Sequence, residues 1–105
     1  MNVIARATTP TIVFTFREVN VNSINVAYLT IRQLTNDVIE RDITTAYKNA
    51  TNNTISWTLT QEETLKLSQG KNVSVVCDWV TESGMRGVSQ RGFYEVIPAG
   101  KNEVI

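Results

Sequence analysis

The ten residues from Asn72 to Thr81 constrain this chain more than any others. Val73, Val75, Cys77 and Trp79 alternate with Ser74, Val76, Asp78 and Val80. A period of two is the mark of a β-strand. Apolar residues on both faces predict a central strand with neighbours on either side. A chain built around such a strand must supply the neighbours, and this one does. Ile12, Phe14 and Phe16 alternate with Thr11, Val13 and Thr15. They follow Pro10, whose missing N–H costs no ladder bond at a strand's first residue. Residues 26–33 predict a second strand with Ala27, Leu29 and Ile31 inward and Tyr28, Thr30 and Arg32 outward. Thr35-Asn36-Asp37 is a turn cluster, and residues 38–43 read as the return strand, with Ile39 and Ile43 on one face.

Residues 44–48 read as a short strand and residues 49–53 as another turn; Ile55, Trp57 and Leu59 then alternate with Thr54, Ser56 and Thr58, after which the period changes. Thr60 stands three residues before Glu63, the spacing of a helix capping box, with Leu65 and Leu67 after it and Gly70 as the expected stop. Residues 82–84 form the next turn, and residues 85–97 a last strand interrupted at Gly87 and Gly92, where a bulge or a close backbone approach is expected. About seven strands with regular turn signals predict an all-β fold, an antiparallel β-sandwich of one domain. Its core spans about residues 8–98, followed by a short tail, 99–105. The expected core residues are Phe14, Leu29, Ile31, Ile55, Trp57, Val75, Trp79 and Phe93.

Composition agrees with strands and narrows the chemistry. Val, Ile and Thr make up 36 of the 105 residues, and β-branched side chains pack well on pleated sheets. Ten basic and ten acidic residues cancel, and the arginines are scattered singly. Phosphate backbones are held by clustered Lys and Arg, so no nucleic-acid partner is expected. Near-zero net charge leaves self-association unopposed. The chain has no histidine, which removes the usual base of Ser and Cys nucleophiles and the commonest metal ligand. Glu62-Glu63 point about 100° apart on a helix and suit its first turn. Glu40 and Asp42 share one strand face and read as a solvated surface. Cys77, the single cysteine, reads as a small buried hydrophobe. The glycines form no phosphate loop. No catalytic residue, cofactor or metal is expected. No apolar run reaches membrane-span length and the N-terminus lacks a signal-peptide core, so the expectation is no membrane partner and synthesis in the cytoplasm.

Trp57 and Trp79 lie in phase with inward residues and read as core rather than as a sugar-stacking platform. Tyr28, Tyr47 and Tyr94 fall out of phase, and tyrosine suits surfaces with one wet and one buried side. The first strand and the residues leading into it, 7–16, carry no charge, although exposed strand edges are usually blunted by charge or bulges. Val104 and Ile105 are apolar residues on a polar tail. Thr11, Val13, Thr15, Tyr28, Tyr47, Tyr94, Val104 and Ile105 are therefore the candidate contacts to a partner.

Four segments carry a family resemblance: Thr8-Thr-Pro-Thr-Ile-Val-Phe-Thr-Phe16, Tyr28-Leu-Thr-Ile-Arg-Gln33, Leu59-Thr-Gln-Glu-Glu-Thr-Leu65, and Glu103-Val-Ile105 preceded by Gly84. The chain resembles small proteins encoded in prophages of Gram-positive bacteria, which are similar in turn to the N-terminal domains of phage upper-baseplate and tail proteins. That resemblance implies an immunoglobulin-like sandwich and a role in virion assembly, through contacts with other tail or baseplate proteins or with itself. It brings no catalytic residues. The alternative expectation is a surface binding module that recognises a glycan or peptide through its sandwich-end loops, which are polar and rich in Asn.

Overall fold

In the computed structural model, which describes residues 2–105, the alternating run forms one unbroken strand with neighbours on both sides. The strands are β1 (Asn2–Ala5), β2 (Thr11–Thr15), β3 (Ile24–Gln33), β4 (Asn36–Asp42), β5 (Tyr47–Asn49), β6 (Thr54–Thr58), β7 (Asn72–Thr81), β8 (Arg86–Val88) and β9 (Gly92–Ile97). A 3-10 turn at Val21–Ser23 and a short helix α1 (Gln61–Leu65) complete the chain. The larger sheet runs β1-β9-β7-β3-β4 with β8 also paired to β7, and the smaller runs β2-β6-β5. This is an all-β immunoglobulin-like sandwich. In that plan four strands A, B, E and D face C, F and G, with an optional C′. Here β2, β6 and β5 take the places of B, E and D, and β4, β3, β7 and β9 those of C′, C, F and G. The expected count of about seven strands rises to nine. β1 is an additional strand, and the last strand is split in two. β1 also runs parallel to β9, so the larger sheet is mixed and not wholly antiparallel.

Both sheets contribute to one apolar core. Ile12, Phe14 and Phe16 from the β2 segment meet Ala27, Leu29 and Ile31 of β3 and Val73, Val75, Cys77 and Trp79 of β7. The rings of Phe16 and Trp79 meet edge to face, 6.4 Å between centroids. Of the expected core, Phe14, Leu29, Ile31, Ile55, Val75 and Trp79 are buried. Trp57 is half-buried, with the Arg41 guanidinium 5.4 Å above its ring.

Phe93 is the exception, 56% exposed. β7 pairs with β8 at Asp78↔Val88 and Trp79↔Gly87, but with β9 at Val75↔Gly92, Ser74↔Phe93 and Val73↔Tyr94. The register advances by one residue between the two segments. β8 and β9 are thus one return strand broken by a single-residue bulge near Gln90 and Arg91. One extra residue swaps the two faces of everything that follows. Phe93, expected inside, joins Ser74 on the outer face, and Tyr94, expected outside, packs inward beside Val73. Gly87 makes the expected close approach, because a Cβ there would fall within the Trp79 ring.

The helical turn is capped as its sequence predicts. Thr60 Oγ1 accepts from the Glu63 N–H at 3.1 Å, and a Glu63 carboxylate oxygen accepts from the Thr60 N–H at 3.0 Å. The other oxygen of this buried carboxylate lies 3.4 Å from Arg41. The helix stops at Leu65 and not at Gly70. Its last turn tightens at Lys66, so that Leu67 enters the core. Gln33, itself buried, holds the loop beyond by bonding both backbone groups of Ser68 and the carbonyl of Lys71. Gly70, at φ 78°, turns the chain into β7 instead.

Trp79→Ala removes a buried ring from the junction of the two sheets, and should cost about 3–5 kcal/mol. Phe93→Ala, despite the larger-looking pattern match, should cost less than about 1 kcal/mol. Chemical denaturation midpoints of the two variants check the difference. Equal losses would contradict the bulge-driven change of face.

Candidate interaction surface

The register of β2 decides what its backbone offers. β2 pairs with β6 from Thr11↔Thr58 to Thr15↔Thr54. The ladder continues outward on both ends, since Pro10 O accepts from Leu59 N at 2.9 Å and Phe16 N donates to Asn53 O at 3.0 Å. Antiparallel ladders alternate bonded and non-bonded pairs. Ile12 and Phe14, in phase with Pro10 and Phe16, therefore aim their N–H and C=O groups at β6. Thr11, Val13 and Thr15 aim theirs the other way, where no strand of the described residues lies. In the immunoglobulin plan strand A fills that place beside B. Here the first strand has gone to β9 instead.

Side chains on the outer face of the small sheet follow the same register. Val13, Ser56 and Tyr47 form one cross-strand row, and Thr15, Thr54 and Asn49 form another. The Thr11 and Thr58 hydroxyls hydrogen-bond at 2.9 Å. None of these side chains is charged. Lys48, the one charged residue of β5, donates from Nζ to the Ile24 carbonyl at 2.6 Å. Val13 is 52% and Tyr47 68% exposed. The result is an uncharged face bounded by an unpaired backbone edge.

Beyond that edge a shallow groove separates β2 from the bulge, lined by Ile12, Phe14, Val75, Gln90, Arg91 and Tyr94 among others. The bulge is stitched to β7 by Ser89, whose N–H donates to Cys77 O at 2.8 Å and whose Oγ accepts from Cys77 N at 2.9 Å. A serine hydroxyl thus replaces the carbonyl that the broken ladder would have supplied. Arg91 is held along the groove wall by Ser74 Oγ at 3.0 Å.

The structure gathers Thr11, Val13, Thr15 and Tyr47 onto one face and leaves the other candidate contacts elsewhere. Tyr28 is on the outer face of the large sheet, between Asp42 and Asp78. Tyr94 packs against the core. Ile105 is clasped by Gln61, which accepts from its N–H at 2.8 Å and donates to its carbonyl at 3.2 Å, while Val104 is exposed beside it. Ser56 and the groove escaped sequence reasoning, because neither strand pairing nor the bulge is marked by a local residue pattern. Several loop asparagines are engaged by the chain itself. Asn53, at φ 56°, bonds Phe16 O, Val19 O and Val21 N, and Asn49 accepts from Thr51 and Asn52.

No group of three His, Cys, Asp or Glu side chains among the described residues is placed to hold a metal ion. No helix among the described residues is long and apolar enough to cross a membrane. No family model, curated protein or solved structure matches the chain.

Cys77 gives a probe of this region. It is buried, and burial pushes its thiol up to about 11 from an ordinary 9.0. The folded state therefore keeps a proton that the unfolded chain releases, so this group's stabilising share is present below about pH 9 and lost as pH rises towards 11. Denaturant midpoints measured across that range should fall more steeply in the native protein than in Cys77→Ala. Parallel profiles would show that the thiol is not shielded.

Proposed function

We propose that the protein is a structural module of a phage or prophage tail or baseplate that works by docking against other protein surfaces. The observation that carries this reading is the unpaired, uncharged edge of β2 with the uncharged face beside it. Proteins that stay single usually blunt such an edge with charges, bulges or a covering segment. β4, the opposite edge of the large sheet, has both of the first two devices: Asp37, Glu40 and Asp42, and a register shift beside Arg32. β2 has neither. The resemblance of the Thr8–Phe16 and Leu59–Leu65 segments to small prophage-encoded proteins adds support, and the first of these segments contains this edge strand. The loops give the glycan-binding alternative less support, because Asn49 and Asn53 are engaged in holding their own turns.

Co-expression with the products of tail genes flanking its own gene, followed by size exclusion with light scattering, tests the proposal. A complex of defined stoichiometry is expected. Failure to associate with any of them, together with absence from purified virions by mass spectrometry, would overturn it.

A further inference from the structure

The geometry points to a second copy of this chain as the occupant of the β2 edge, with the two β2 strands paired antiparallel across a two-fold axis at Val13. This deepens the docking proposal by naming one contact and its partner. The sequence of β2, Thr-Ile-Val-Phe-Thr, has nearly the same character in both directions. A two-fold at Val13 places Thr11 opposite Thr15, Ile12 opposite Phe14 and Val13 opposite Val13, so each residue meets one of its own kind. An isologous contact requires this self-complementarity.

The backbone fits the same operator. The N–H and C=O groups of Thr11, Val13 and Thr15 all face outward, so the three facing pairs are the hydrogen-bonded ones. Antiparallel pairing in this register forms six main-chain bonds. Ile12 and Phe14 then meet as aromatic and β-branched cross-strand pairs over the groove, and Val13 meets its own copy on the outer face. The row Tyr47–Ser56–Val13 continues without a break into Val13–Ser56–Tyr47 of the second copy. Charge does not oppose the contact. Arg17 falls opposite Thr9 and Glu18 opposite Thr8, so no like charges face each other across the strand pair, and the chain as a whole is neutral. A foreign strand could use the same amides, but a second β2 also meets each side chain of the edge with one of like character.

Facing residues of a hydrogen-bonded antiparallel pair lie about 5.5 Å apart at Cα. That separation suits a disulfide. Val13→Cys should therefore form a crosslinked dimer under mild oxidation at millimolar protein concentration. Thr11→Cys should not, because the two copies of that position lie about 14 Å apart along the strands, while Thr11→Cys/Thr15→Cys should crosslink again. The native Cys77 is buried and does not compete. In the otherwise native chain, Val13→Pro removes only an N–H that faces away from β6, and should abolish the sedimenting dimer while circular dichroism and the melting temperature report an intact fold. Three results would each overturn the pairing: a monomer at millimolar concentration, a dimer that survives in folded Val13→Pro, or Thr11→Cys crosslinking as readily as Val13→Cys. Association only with another tail protein would also overturn it, while leaving the docking proposal standing.

Discussion

The parallel pairing of β1 with β9 determines what the rest of the molecule presents. Ile4 and Val96 are both buried in that pair, and the ladder runs on through the Arg6 N–H to the Ile97 carbonyl. By closing one edge of the large sheet, β1 leaves the small sheet without the strand that usually flanks its second member. The chain must then cross from one sheet to the other in residues 6–10. Thr64 holds that crossing by bonding both backbone groups of Thr8, and Arg6 donates to the Leu65 carbonyl. The capping box at Thr60 and Glu63 fixes the helical turn on which Thr64 stands. A feature that looks like mere punctuation in the sequence thus anchors the route that bares β2.

Alternation made most of this fold legible. Local pattern is enough where a strand is long and one face is apolar, as in β2, β3 and β7, because the pleat enforces a period of two. It fails at β1, whose four residues are too few to show a period. It also fails at the bulge. Nothing in Ser89-Gln90-Arg91 marks an inserted residue, and the exchange of Phe93 for Tyr94 follows from that insertion alone. Glu95, sharing a face with Phe93, was the one available sign that this face is wet. The polar clamps were equally hidden. Gln33 and Asn53 gain their roles from loops 35–38 and 34–37 positions distant in sequence.

The candidate surface was half legible for the same reason. Absence of charge in residues 7–16 can be read directly, as can the outward phase of Thr11, Val13 and Thr15. That Tyr47 and Ser56 extend the same face depends on β6 pairing with β2 and β5 with β6, and the first of these is a long-range pairing that no single segment encodes. Electrostatics then separates the edges of the sandwich. The β4 edge is charged and bulged, whereas the β2 edge offers only unpaired amides and carbonyls between threonines and a valine. Such an edge gains most from meeting a backbone that can satisfy it without desolvating a charge.

Amide hydrogen exchange followed by NMR tests the free β2 edge most directly, because neighbouring residues of one strand must behave oppositely. In dilute protein the amides of Ile12, Phe14 and Phe16 should be protected by β6, while those of Thr11, Val13 and Thr15 exchange close to the rate of an open chain. Raising the concentration should slow the second set and leave the first unchanged. Protection of Val13 at the lowest concentration, equal to that of Ile12 and Phe14, would show that the edge is already filled and would contradict the free strand on which the interaction surface rests.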